Sequence, residues 1–293
     1  MKDAHASKTA DVAAAIRAAH MIHDRPIVFS DPYAFQMTSP GWRRIVGNRL
    51  LHFIVVKRIL RIFRPIHGQM LARARTAEDA LEAAVNEGRI SQYVILGAGM
   101  DSFALRHPPF ASGLDLYEID HPATQAEKRK RMEAIGVDGQ LAVTLLPADF
   151  ERQSVGDILR GSSFDQSRPA LFNWLGNTFY LRPETVEATL GSIATVAAPG
   201  SEVVFDYCLP DDGFDAETLR EMQAVRAFVA KRGEPFVSSF TRDAVEAMAE
   251  HRGFSVIQDA GVDEQIARYF RARSDDLRPS PFFRIAHLRY SNA

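Results

Sequence analysis

The chain has 293 residues, 46% of them hydrophobic and 25% charged, with a formal net charge of −2. This is globular composition, which excludes a disordered or fibrous chain, and a near-neutral charge creates no global field toward nucleic acid. The single cysteine, Cys208, excludes an internal disulfide; with an N-terminus lacking an apolar run behind a basic start, it fits a reducing, cytoplasmic setting.

The first ninety residues read as helical. Residues 10–21 are alanine-rich, with Val12 and Ile16 as their main apolar anchors. Asp31-Pro32-Tyr33-Ala34 carries a helix-start signal, with Asp31 as cap and Pro32 in the first turn. A basic helix is expected from about residue 42 to 64. Its apolar part is interrupted by Arg49, Lys57, Arg58 and Arg61. A spanning helix needs about 20 nearly uncharged residues. The stretch is therefore an amphipathic helix, either packed on the core with its arginines in solvent or lying on a membrane surface. Another helix covers 69–86 and ends at Glu87-Gly88.

The pattern then changes. Short apolar runs at 92–96, 114–119, 143–146, 170–174 and 202–205 alternate with helical segments at 122–132, 155–160 and 183–197. Alternation predicts a mostly parallel sheet, and continuous apolar character predicts strands covered on both faces. Helices at 216–232 and 241–252 and strands at 255–258 and 282–290 close the chain, with a loop at 273–281. The predicted fold class is α/β, a doubly wound, seven-stranded, mostly parallel Rossmann-like sheet. An N-terminal helical lid or substrate subdomain (1–90) precedes the core (91–293).

Three places could carry chemistry. Gly97-Ala98-Gly99-Met100-Asp101 follows the first core strand directly. Glycines there permit a sharp turn and close ligand approach, and the following helix offers free N–H groups. Asp120 ends the second strand, placed to accept hydrogen bonds from ribose hydroxyls. Asp149-Phe150 follows the third strand, an acid for an adenine amino group beside a flat apolar ring. The pattern predicts an adenosine-bearing ligand. A dinucleotide fingerprint would place a third glycine where this chain has Ser102.

Together, Arg73-Ala74-Arg75-Thr76-Ala77-Glu78-Asp79, the run from Val94 to Asp101 and Tyr117-Glu118-Ile119-Asp120-His121-Pro122 resemble the leucine carboxyl methyltransferase family, which includes bacterial polyketide-type O-methyltransferases. Asp31 to Ala34 and Phe205-Asp206-Tyr207 resemble further stretches of it. The resemblance implies a class I methyltransferase using S-adenosylmethionine and releasing S-adenosylhomocysteine. Arg73, with Arg75 its nearest competitor, would hold the donor's carboxylate. Gly97, Ala98, Gly99 and Asp101 would form the donor turn, and Asp120, Asp149 and Phe150 would hold the adenosine. Arg17 would close over the donor. Many members carry a glutamate for the donor ammonium where this chain has Leu175, so the expected acceptors become the Gly97 carbonyl and Asn173.

The expected reaction is in-line O-methylation of a carboxylate or hydroxyl on a small molecule, needing no metal. Tyr180 and Tyr207 are the expected catalytic side chains lining the acceptor pocket; His107 and His121 read as surface or capping residues. Neither nucleic acid nor a transmembrane segment is expected, and the oligomeric state is open. Two alternatives stand beside this reading: an NAD(P)-dependent oxidoreductase, and a non-catalytic relative that binds S-adenosylmethionine or S-adenosylhomocysteine.

Overall fold

Every strand expected from the sequence forms in the computed structural model, which describes residues 7–137, 141–150, 152–231 and 233–291. The strands are β1 (Gln92–Leu96), β2 (Asp115–Asp120), β3 (Thr144–Pro147), β4 (Ala170–Trp174), β5 (Glu202–Cys208), β6 (Phe254–Ala260) and β7 (Phe283–Tyr290). They join in one sheet of order β3-β2-β1-β4-β5-β7-β6. The first five run parallel, and β7 inserts antiparallel between β5 and β6. The strand order reverses between β1 and β4, and ligands of open α/β sheets bind at the carboxyl ends of strands flanking such a point.

The two faces of the sheet follow from side-chain alternation. Val94, Leu96, Phe172, Phe205 and Tyr207 point to one side, against Val186, Leu190 and Ile193 of a helix at Pro183–Ala194. Tyr93, Ile95, Leu171 and Val204 point to the other, against Ala77, Leu81 and Ala84 of a helix at Arg64–Asn86.

The helices before the sheet depart from expectation in two places. After α1 (Lys8–His23), residues 32–37 form turns, and no helix starts at Asp31. The Asp31 carboxylate is instead fully buried and takes the Arg17 guanidinium at 2.7 Å and the Tyr33 N–H at 3.2 Å. The basic stretch is also not one helix. It comprises α2 (Pro40–Gly47), α3 (Arg49–His52), a π-helical segment (Phe53–Ile59) and a short 3-10 turn (Arg61–Phe63), before α4 (Arg64–Asn86). Asn48 explains the first break: its side chain accepts from the Leu50 and Leu51 N–H groups at 3.0 Å each, starting a new helix after Gly47. Pro65 suits the first turn of α4, which starts five residues earlier than expected.

Beyond β1 come α5 (Phe103–Arg106), α6 (Pro122–Ala134), α7 (Val155–Arg160), α8 (Pro183–Ala194), α9 (Ala216–Ala230) and α10 (Arg242–His251). The expected helix 216–232 thus ends at Ala230, and its Arg232 lies outside the described residues, as do Met1–Ala6, on which the N-terminal reading rests. Among the described residues, no helix is long and apolar enough to cross a membrane.

Candidate active site

The glycine turn after β1 has the geometry its sequence requires. Gly97 and Gly99 both have positive φ, +66° and +53°, where a Cβ is strained. The Gly97 N–H donates to the Ile119 carbonyl at 2.8 Å, tying the turn to the end of β2. The Asp120 carboxylate accepts from the Gly99 N–H at 2.5 Å and the His121 N–H at 2.6 Å. Burial pushes its pKa above the ordinary carboxylate range, and those two N–H bonds oppose the shift. Asp101, just ahead of α5, accepts from the Phe103 N–H at 2.7 Å, and Ala98 is buried within the turn. The neighbouring Glu118 is consumed structurally, buried in an ion pair with Lys128.

Helix α1 roofs this turn. A Cβ added at Gly99 would stand 2.9 Å from the Ala10 Cβ. Arg17 donates to the Met100 carbonyl at 2.6 Å while paired with Asp31. Small side chains let the helix lie close: Ala14, Ala15, Ala18 and Ala19 are all buried, with Ile16 the one large aliphatic among its buried residues.

Arg73, on α4, lies at the end of β4. Its Nη1 donates to Asp206 Oδ2 at 2.8 Å, and Asp206 Oδ1 accepts from the Gly176 N–H at 2.6 Å. The guanidinium packs so closely on Gly176 that a Cβ there would meet Nη2 at 2.5 Å. Arg75 points outward to Asp79, so Arg73 is the arginine at the site. Next along the loop, Asn177 donates to the Leu175 carbonyl at 2.9 Å and the Leu96 carbonyl at 3.2 Å, and it fills the space a Gly97 side chain would need. Asn173 donates to the Tyr93 hydroxyl at 2.7 Å, leaving its own Oδ1 buried without a partner among the described residues. Asp206 and Asn177 were not singled out from the sequence. Asp206 is within a family-like stretch, but nothing in its spacing pairs it with Arg73.

A cavity of about 90 Å³ adjoins Arg73. Its walls are almost wholly apolar and come from α1, the broken 40–63 segment, α4 and α9, with Val56, Leu60, Phe63, Phe179 and Phe236 prominent. Polar side chains enter from α4 as His67, Gln69 and Arg73, and from elsewhere as Thr9 and Tyr180. Gln69 is 2% exposed, and among the described residues neither its Nε2 nor its Oε1 has a hydrogen-bond partner. A buried amide left unpaired is costly, and at the cavity wall this makes Gln69 a candidate ligand contact. Burial, reinforced by nearby Arg64, pushes the His67 pKa down to about 3. Burial and the neighbouring Glu234 raise that of Tyr180. Nothing in the sequence marks Gln69 beyond its position one turn before Arg73.

One expected site residue is elsewhere. Tyr207 does not line the cavity. β5 continues to Cys208, so Asp206 and Tyr207 sit on opposite faces, and Tyr207 is fully buried against α8 with its hydroxyl donating to Asp259 at 2.7 Å. Asp149 and Phe150 follow β3 at the sheet margin. Asp149 lies 3.6 Å from Arg152, and Phe150 is 37% exposed. His121 caps α6 by accepting from the Ala123 N–H, and exposed His107 ends α5 in a left-handed conformation.

The sheet order, with an antiparallel seventh strand between the fifth and sixth and a glycine turn at the switch point, defines a class I methyltransferase fold. The family model for leucine carboxyl methyltransferase matches residues 10–194. The chain belongs to the leucine carboxyl methyltransferase family. YktD of Bacillus subtilis (strain 168), named as an S-adenosyl-L-methionine-dependent methyltransferase, is 27% identical over 295 residues, covering 94% of this chain and 95% of that protein. A protein of the same description from Mycolicibacterium gilvum (strain PYR-GCK) is 30% identical, over 73% of this chain and 70% of its own. A crystal structure named as a methyltransferase from Thermobifida fusca YX superposes with a TM-score of 0.60 at 16% identity, over 96% of this chain and 94% of that one, which concerns the fold alone.

Proposed function

We propose that the protein transfers a methyl group from S-adenosylmethionine to a carboxylate oxygen of a small apolar molecule. The observation that carries this reading is the position of Arg73, which packs on Gly176 beside the glycine turn and also lines the apolar cavity. One residue thereby joins a donor site to an acceptor site.

The residues fit the donor. Gly97 and Gly99 leave room for close backbone approach, and Asn173 offers a buried oxygen without a partner. The Leu96 and Leu175 carbonyls, now bonded by the Asn177 amide, are acceptors an ammonium group can use in place of the family glutamate. When bound, S-adenosylmethionine would supply an electrophilic methyl group: the acceptor oxygen bonds to its carbon as the carbon–sulfur bond breaks, and the sulfur leaves with the electron pair as the thioether of S-adenosylhomocysteine. Arg73, held at one end by Asp206, directs its remaining N–H groups to the donor's carboxylate. Asp120 receives the ribose hydroxyls through the lone pairs its two backbone bonds leave free. Asp149 and Phe150 receive the adenine. Arg17 keeps α1 over the turn as a lid that excludes water.

The cavity favours a carboxylate over a hydroxyl as acceptor. Its titratable lining residues are His67, Arg73 and Tyr180. With its pKa pushed down to about 3, His67 is a poor base near neutrality, and Tyr180 stays protonated. A hydroxyl acceptor benefits from a base, whereas a carboxylate is already ionised.

The test has two stages. Calorimetric titration with S-adenosylhomocysteine should show one binding event. Methyl-labelled S-adenosylmethionine should then label apolar carboxylic acids as base-labile esters, in preference to matched alcohols. Absence of S-adenosylhomocysteine binding overturns the donor site; labelling of alcohols alone overturns the carboxylate assignment.

A further inference from the structure

Residues 49–62 are apolar on both sides. The inward side chains Val56 and Leu60 line the cavity. The outward ones do not follow the usual polar pattern of a surface helix. Leu50 is 66% exposed, Phe53 51%, Ile54 42%, Ile59 67% and Ile62 38%. These are five of the nine large apolar side chains exposed among the described residues, gathered within a single short stretch. Clustered exposure of this kind marks an interaction surface, whereas single exposed side chains do not.

The charge of the surroundings says what covers it. From Pro32 to Ala77 the chain has nine Lys and Arg and no Asp or Glu. Arg44, Arg49, Arg58 and Arg61 are exposed, and none forms an ion pair with another described residue. The nearest acid, Asp24, is buried beneath the segment and already faces His20, Lys57 and Arg64; exposed Asp276 faces Arg64. A second copy meeting this face about a two-fold axis would set arginine against arginine. Arginines interleaved with aliphatic side chains suit a surface of phosphates above hydrocarbon, because the long side chains reach up to the headgroups while the aliphatic ones go down.

We propose that the outward face of residues 49–62 docks on an anionic lipid bilayer, with Leu50, Phe53, Ile54, Ile59 and Ile62 entering the interface and Arg49, Arg58 and Arg61 meeting lipid phosphates. The segment then separates the bilayer from the cavity by a single layer of backbone, a layer built partly of a π-helical turn, a conformation frequent at functional sites. The docking does not depend on the methyl-transfer reading.

The test is co-sedimentation of the full chain with phosphatidylglycerol-containing vesicles and with pure phosphatidylcholine vesicles. Binding should be at least tenfold stronger to the anionic vesicles and should weaken as salt is raised. Phe53→Ser with Ile59→Ser, and separately Arg49→Gln with Arg58→Gln and Arg61→Gln, should each reduce it tenfold or more with unchanged thermal transitions. Wild-type hydrogen exchange should slow within 49–62 on vesicle addition, which tests the surface even where a variant folds poorly. No vesicle binding, equal binding to both lipids, or protection elsewhere in the chain would each overturn the proposal. So would a concentration-dependent dimer, lost in the Phe53/Ile59 variant, in a protein that ignores vesicles.

Discussion

The Arg73 guanidinium and the Asp206 carboxylate meet at 2.8 Å across 133 residues of chain, on the same face of the sheet as the apolar cavity. Asp206 has no exposed side-chain surface and Arg73 retains 14%, so the pair presents arginine, and not aspartate, to a ligand.

Arg73→Ala should therefore have two effects. Removing one partner of a buried pair costs about 3–5 kcal/mol, which a thermal melt reads as a large drop. Affinity for S-adenosylhomocysteine should fall by about 1.5–3 kcal/mol, the range for a hydrogen bond to a charged group. Arg73→Lys keeps the charge and loses the fork, so it should recover most of the stability and little of the affinity. Calorimetry showing wild-type affinity in both variants would remove Arg73 from the donor site.

Gln69→Met should act in opposite directions on stability and turnover. The substitution removes an unpaired buried amide at similar volume, which should stabilise the protein by about 1–3 kcal/mol. Methyl transfer to the acceptor should drop at least tenfold, with S-adenosylhomocysteine affinity unchanged. A less stable variant with full turnover would show that Gln69 serves the fold.

Gly99→Ala can be separated from the plain cost of its backbone conformation. A left-handed residue with a Cβ costs about 1–2 kcal/mol. Gly88 has φ +69° with nothing within 4 Å, whereas a Cβ at Gly99 meets Ala10. Gly88→Ala should show the conformational cost alone. Gly99→Ala should add displacement of α1 and lose S-adenosylhomocysteine binding. Equal behaviour of the two variants in melting and titration would mean that α1 does not press on the turn.

Acid should destabilise the protein through two buried histidines. Burial lowers His52 to about 4, with His23 beside it, and lowers His67 to about 3. Both fall below the unfolded value of about 6.5, so the unfolded chain binds protons first as pH drops. Stability should be full above about pH 6.5 and fall toward pH 4, by at most about 1.4 kcal/mol per pH unit for each histidine. Melts across that range should show the slope, and His67→Leu should flatten it. A flat wild-type profile between pH 7 and 4.5 would refute the buried neutral state.

The sequence by itself determined what is local. The strand that ends at Leu96 and the turn through Gly97 and Gly99 depend on neighbouring residues, on runs of apolar side chains and on glycine's access to positive φ, and both are present as expected. So is the alternation of strands and helices that makes the sheet. Tertiary structure decided what depends on distant partners. Asp31 reads as a helix cap, yet a buried carboxylate goes to the strongest donor within reach, which is Arg17 on another helix. Tyr207 reads as a pocket residue, yet three further residues of β5 and strict alternation place it on the far face and leave Asp206 to the site. Gln69 carries no mark in the sequence, because being unpaired is a property of everything that packs around it.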